Sequence, residues 1–303
     1  MLAQAPHPRS HRLSPRHDRR DQPRLRRPPP LVGPRWDVLD KRLKQRWSGI
    51  ILSSASDLPE SVIRNVARLG GVPVMDLPDC YERWWGRIPV SHVRGDWLGL
   101  SKGFDLIHSP FQVHVKRLMD IALSVGLMII SLPIIIAAAI AVRVTSPGPI
   151  LFKQQRVGQD GRNFTVLKFR TMVTGSETGD RYTAKKDARI TPVGAFMRKS
   201  RLDELPQLWN VLRGDMSFIG PRAEWDELVS TYETLIPYYH LRHIVRPGLT
   251  GWAQVRYPYG SSVEDARMKL EYDLYYIKNQ SPMLDLMIVL RTIRVVLFGV
   301  GSR

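Results

Sequence analysis

IALSVGLMIISLPIIIAAAIAV, Ile121–Val142, is a run of 22 residues without a single charge. As a helix it extends about 33 Å, enough to cross the hydrocarbon core of a bilayer, so a transmembrane span is the default reading. Two features argue against a simple span. Pro133 stands near the middle, close to Ser131, where a helix loses a hydrogen bond and bends. Both flanks are also basic: Lys116 and Arg117 precede the run, and Arg143, Lys153 and Arg156 follow it. Positive residues favour the cytoplasmic side, and here both ends make that demand. A kinked helix over about residues 118–143, entering and leaving by one leaflet, satisfies both. A buried helix of a soluble domain is the third alternative.

The remainder of the 303 residues divides by composition. Residues 1–46 hold eleven Arg and two Lys against four Asp, 13 − 4 = +9 of the chain's net +17. With RRPPPLVGP (Arg26–Pro34) and no apolar periodicity, this arm is expected to be disordered. Contact with anionic lipid or nucleic acid is one reading, and a solvated tail or an over-extended start of translation the other. No apolar core follows the first basic residues, so a signal peptide is not expected. One cysteine, Cys80, forbids an internal disulfide and fits a reducing compartment.

Residues 47–110 read as a partial Rossmann-like fragment and linker. GIILSSA and GVPVMDL read as strands and LPESVIRNVARLG as the helix between them, without a G-x-G-x-x-G loop for a dinucleotide. Two strands make no stable sheet alone, so the fragment must lean on the rest of the chain or on a partner, a second copy included. Farther on, PILFKQQRVGQDGRNFTVLKFRTM predicts a β-hairpin about Asp160-Gly161. Its second strand sends Leu167 and Phe169 one way, Lys168 and Arg170 the other. The cationic face is either a solvated edge or one that meets phosphate. His240 and His243 lack further metal ligands nearby and are assigned to substrate phosphate or the surface. The segment from Ser281 to Gly299 suits a helix lying in the membrane interface or packing on the core.

SRLDELPQLWNVL, Ser200–Leu212, sets Asp203 beside Glu204. Leu205, Leu208, Trp209 and Leu212 recur as a helical stripe. Pro206 is tolerable only in a first turn, which puts Asp203 at or next to the N-cap. A well-capped helix explains Asp203, but not the nearby cations Arg198, Lys199, Arg201, Arg213, Arg222 and Arg246. Carboxylates among arginines suit phosphate chemistry. An ionised Asp attacks phosphorus, adjacent carboxylates recruit Mg²⁺, and arginines neutralise phosphoryl oxygens. Phosphoryl transfer at a membrane is the function these residues suggest.

Five stretches in one order carry a closer resemblance: KRLMD, the interrupted apolar helix, SPGPILFKQQRVGQDGRNFTVLKFRTM, RLDELPQLWNVLRGDMSFIGPR and RPGLTGWAQV. Together they resemble the bacterial sugar transferases, the monotopic polyprenyl-phosphate phosphoglycosyl transferases, over roughly Val115 to Arg303, within a transferase domain set at residues 111–303. YERWWGRIPV through WLGLSKGF resembles the linker of the longer members that build exopolysaccharides. The resemblance implies a mixed, helix-rich α/β monotopic membrane protein with a re-entrant helix. The catalytic domain would lie on the cytoplasmic face of the bacterial inner membrane. It implies transfer of a sugar 1-phosphate from a UDP-sugar to undecaprenyl phosphate with release of UMP, the first membrane step of surface-glycan assembly.

Asp203 would attack the β-phosphate and carry a covalent phosphosugar, while Glu204 would serve Mg²⁺ or proton transfer. Lys168, Arg170, Arg201, Arg222 and Arg246 would bind diphosphate or lipid phosphate, and Trp252 and Gln254 would shape the nucleotide pocket. The alternative is a non-catalytic scaffold or UDP-sugar sensor of the same fold. Nucleic acid is not an expected partner, because no base-stacking aromatics interleave the cations. The chain departs from the family pattern twice: Leu132 stands where Ser often precedes the proline, with Ser131 one residue earlier, and Ala223 replaces a proline after GPR.

Overall fold

The computed structural model describes residues 50–52, 74–93, 103–104, 109–175, 187–258, 260, 262–298. The basic arm and the helix expected over Leu58–Gly70 lie outside them. The chain forms two compact units, divided after Met75. In the first unit the expected strands are present as β1 (Ile50–Leu52) and β2 (Val74–Asp76), paired in a two-stranded sheet.

The second unit begins at Asp76, so the linker belongs to the compact body that carries the dyad. Asp76 caps α1 (Leu77–Trp85), accepting from Asp79 N. Glu82 then takes Lys278 Nζ at 2.6 Å and Asn279 Nδ2 at 2.8 Å, and Arg87 meets Glu271 at 3.1 Å. Ile88 and Val90 end in the main core with Leu270, Leu274 and Ile277.

The apolar run lies inside α2 (Pro110–Thr145), 36 residues or about 54 Å. Among the described residues it is the one helix long and apolar enough to cross a membrane. It is continuous across Pro133, and Ser131 Oγ donates to Leu127 O at 2.6 Å. That hydroxyl therefore serves the carbonyl four residues before it, not that of Ile129, which Pro133 cannot bond. Lys116, Asp120, Ser124, Ser131, Ala138 and Val142 are buried along one stripe, while Leu118, Ile129, Ile130, Ile136 and Ile140 are exposed.

Both ends of the stripe dock on the same body. After α2 come the antiparallel strands β3 (Leu151–Val157) and β4 (Asn163–Phe169), with Leu151 opposite Phe169 and Val157 opposite Asn163. Asp160 and Gly161 take positive φ in the loop between them, as an Asp-Gly turn allows. There follow α3 (Pro192–Ser200), α4 (Gln207–Arg213), β5 (Ser217–Ile219), α5 (Asp226–Leu235), β6 (Gly248–Thr250), α6 (Trp252–Arg256), α7 (Val263–Asn279) and α8 (Pro282–Phe298). Ala138 and Val142 pack with Phe169 of β4 and Met197 of α3, and Leu202 and Leu205 join the same cluster.

Near the other end the contact is polar. Lys116 Nζ lies 2.5 Å from Asp120 Oδ1, 2.8 Å from Ser217 Oγ and 3.5 Å from Asp285. Asp120 also accepts from Phe218 N, and Asp285 from the Tyr276 hydroxyl. One network thus joins α2, β5, α7 and α8. Arg117 donates to the Val211 and Leu212 carbonyls at the end of α4. These two basic residues, read as free membrane-flanking charges, are built into the fold. The helix α8 packs on the core through Leu284 and Ile288, while Met283, Leu286, Leu290 and Ile293 are exposed.

Removing one partner of a buried ion pair leaves the other uncompensated, at a cost of about 3–5 kcal/mol. Lys116→Met should lower the unfolding free energy of the detergent-solubilised protein by that order in a denaturant titration. A loss of less than about 1 kcal/mol would show that the network does not hold α2.

Candidate active site

The carboxylate pair sits one turn earlier than the sequence suggests. Arg201 ends α3 at φ 59, in the left-handed region, and a 3₁₀ turn, Leu202–Glu204, follows. The α4 N-cap is Pro206, not Asp203. Pro206 has no N–H, so i→i+3 bonds carry the backbone here: Leu205 N to Leu202 O and Leu208 N to Leu205 O. The buried face of α4 is Gln207, Leu208, Asn210 and Val211, and Trp209, expected in the stripe, is exposed. Leu202 and Leu205, on either side of the pair, anchor it in the cluster that holds the C-terminal end of α2.

The two carboxylates differ in their surroundings. Glu204 is buried, and its Oε1 lies 3.2 Å from Arg222, 3.3 Å from Lys168 and 3.9 Å from Arg201. Burial opposes its charge, but Lys168, Arg222 and Arg201 outweigh burial and hold its pKa well below the ordinary carboxylate value. Asp203 Oδ1 is buried with no hydrogen-bond partner. Burial, and then the negative charge of Glu204, push its pKa up to about 6. Burial likewise pulls the Lys168 ammonium down, against the attraction of Glu204.

Each cation is placed by backbone constraints. The Asn210 carboxamide acts as a neighbouring strand for β4: Oδ1 accepts from Leu167 N at 3.0 Å and Nδ2 donates to Thr165 O at 2.8 Å. This sets Lys168 beside Glu204. Arg222 follows β5, which pairs in parallel with β6, Ser217 opposite Gly248. Gly248 N donates to Pro221 O at 2.8 Å, and a Cβ on Gly248 would lie 2.1 Å from Gly220 N. Arg242, paired with Asp273 at 2.9 Å, donates to Arg222 O, and Arg156 donates to Ala223 O. Two guanidinium clamps thus fix the loop in which alanine stands in place of proline.

Lys168 and Arg222 also line a small cleft, partly open to solvent, with Arg156, Val166, Gln207, Met216, Ala223 and Gly248. The other expected site residues lie elsewhere. Arg170 is buried, donating to Ser146 O at 2.6 Å and Pro147 O at 3.0 Å, where it caps the end of α2. Arg246 is half-buried and does not line the cleft. Trp252 is buried in the core, its Nε1 donating to Gly86 O at 2.7 Å, with the Arg256 and Arg291 guanidinium groups each 5.1 Å from its ring. Gln254 Nε2 donates to Leu249 O. Exposed His240 and half-buried His243 stand apart from the dyad; His243 is edge-on to Tyr239. Sequence reasoning missed Arg156 and Gln207; the spacing of Gln207, three and four residues after the pair, was the available signal.

The sequence profile of the family described as bacterial sugar transferase matches residues 111–299. The chain belongs to that family. A UDP-N-acetylgalactosamine-undecaprenyl-phosphate N-acetylgalactosaminephosphotransferase of Aeromonas hydrophila is 41% identical, over 88% of this chain and 64% of that protein. A UDP-glucose:undecaprenyl-phosphate glucose-1-phosphate transferase of Xanthomonas campestris pv. campestris is 41% identical over 68% of this chain and 42% of its own length. The exopolysaccharide production protein PSS of Rhizobium leguminosarum bv. phaseoli is 41% identical over 59% and 93%. The chain thus spans less than two thirds of the length of the first two relatives.

The Trp252 bond ties the linker to the body. Trp252→Phe deletes the donor to Gly86 O and part of the buried indole, which should cost at least about 1 kcal/mol in a denaturant titration. An unchanged midpoint would contradict a structural role for that bond.

Proposed function

We propose that the chain transfers a sugar 1-phosphate from a UDP-sugar to undecaprenyl phosphate, through a phosphosugar carried on Asp203. The unequal dyad carries this reading: Glu204 is fixed by cations, while Asp203 keeps an unpartnered buried oxygen. A poorly solvated carboxylate is a more reactive nucleophile than a hydrated one. An Asp203 oxygen bonds to the β-phosphorus, the bond from that phosphorus to the bridging oxygen breaks, and UMP leaves. An oxygen of undecaprenyl phosphate then bonds to the same phosphorus and Asp203 leaves as a carboxylate. The product is undecaprenyl-diphospho-sugar. Lys168 and Arg222 balance the charge on phosphoryl oxygens in both steps.

The dyad fits Mg²⁺ in its donor set: one unpartnered carboxylate oxygen beside a second carboxylate, with the remaining ligands left to phosphate and water. Asp203 and Glu204 would hold the ion, which when bound neutralises diphosphate charge.

We read α2 as re-entrant at the bacterial inner membrane, with the catalytic body on the cytoplasmic face. Support comes from the docking of both its ends on one body, Lys116 and Asp120 on one side and Ala138 and Val142 on the other. A helix crossing the bilayer would carry one end away. Exposed Phe196, Trp209, Leu286 and Leu290 supply apolar surface for the same interface.

Relatives of equal identity are named for different sugars, so the assay must offer a panel of UDP-sugars with undecaprenyl phosphate and Mg²⁺. One of them should release UMP, and Asp203→Asn should reduce that rate by about 10³-fold or more. Binding without turnover across the panel would leave a scaffold or sensor instead. The ionised form of Asp203 is the one that attacks, so kcat/KM should rise with pH as Asp203 ionises and then level. Glu204→Gln removes the neighbouring negative charge and should move that limb to lower pH. A limb that stays in place would detach it from Asp203.

A further inference from the structure

Gln207 begins α4, three residues after Glu204 and four after Asp203, and is 5% exposed. Its Nε2 is buried with no acceptor, although it lines a cleft together with Lys168 and Arg222. The surroundings explain why it finds none. Arg156 and Lys168 have only donors, and so does Arg222. Val166 and Ala223 offer apolar side chains, and Met216 a weakly accepting thioether. The Gly248 N–H is already spent on Pro221 O. A buried carboxamide donor facing cations and apolar walls is costly unless an anion completes it.

We infer that Gln207 is a substrate-binding residue whose carboxamide N–H donates to a phosphoryl oxygen held between Lys168 and Arg222. A neutral donor has a use beside two cations. It adds a directional bond without further positive charge, which would tighten the hold on an anionic product and lower the pKa of Asp203. It begins α4 just after the 3₁₀ turn that carries the dyad, four residues from the nucleophile. The inference rests on reading the cleft as the diphosphate site. Two phosphates visit it in the proposed cycle, that of the nucleotide and that of the lipid.

The test compares wild type with Gln207→Leu, which keeps similar bulk and removes the donor. Binding of UMP, inorganic pyrophosphate and undecaprenyl phosphate to the detergent-solubilised protein is measured by calorimetry, alongside thermal unfolding. We expect about a tenfold loss of affinity for at least one probe, the ratio expected for a hydrogen bond to a charged group. The unfolding temperature should be unchanged or raised, because an unpartnered buried donor is gone. Loss confined to UMP and pyrophosphate assigns the bond to the nucleotide phosphates; loss confined to undecaprenyl phosphate assigns it to the lipid. Unchanged affinity for all three in the folded variant overturns the proposal. Should Gln207→Leu not fold, Gln207→Met takes its place, and failure of both to fold also overturns it, since Gln207 would then be a residue of the fold. Pyrophosphate binding needs no turnover. A Gln207-dependent affinity in a protein that releases no UMP would therefore sink the transferase reading and leave this one standing.

Discussion

The Lys116 ammonium, held between Asp120, Ser217 and Asp285, ties a strongly apolar helix to a folded polar body. The network is buried and joins four elements, so α2 cannot swing away from β5, α7 and α8 without exposing unpaired charge. At the other end Ala138 and Val142 sit in the cluster with Phe169, Met197, Leu202 and Leu205. Buried ions are expensive, and geometry of this kind is better at fixing a unique arrangement than at adding stability. Here the arrangement is the register between the apolar helix and the dyad turn.

The dyad extends the same logic to a smaller scale. Two adjacent carboxylates in one environment would share their charge evenly. The fold breaks that symmetry by surrounding Glu204 with three cations and leaving an Asp203 oxygen buried without a partner. Glu204 serves as a fixed negative counter-ion that orders Lys168 and Arg222. Burial and the charge of Glu204 destabilise the ionised form of Asp203. The loop bearing Arg222 gains its rigidity from Arg156 and Arg242 rather than from a proline ring. The two devices restrict the same backbone, one through hydrogen bonds and the other through covalent geometry.

Much of this was legible in the sequence because it depends on local rules. The uncharged run of Ile121–Val142, the Asp160-Gly161 turn, the two short strands around residues 50 and 75 and the position of the acid pair all follow from spacing and composition. What escaped depends on where distant segments meet. Arg170 alternates with Lys168 and looks like its partner, yet the chain turns after β4 and its guanidinium reaches back to the Ser146 and Pro147 carbonyls. Trp252 is expected by resemblance to shape the nucleotide pocket, and the structure has its indole donating to Gly86 O. Trp209 fits an apolar stripe, but the preceding 3₁₀ turn rotates α4 so that Gln207 and Asn210 take the buried face. Lys116 and Arg117 satisfy a membrane-flank rule while their side chains serve the interior.

The central claim is that the Asp203 carboxylate bonds to phosphorus. Intact-protein and peptide mass spectrometry, on protein incubated with the UDP-sugar that supports turnover and with undecaprenyl phosphate withheld, tests it most directly. The account predicts a sugar-phosphate adduct on the peptide containing Asp203, and its disappearance when the lipid phosphate is added. An unmodified Asp203 under conditions where the full reaction proceeds would contradict the account, because transfer would then pass directly from nucleotide to lipid.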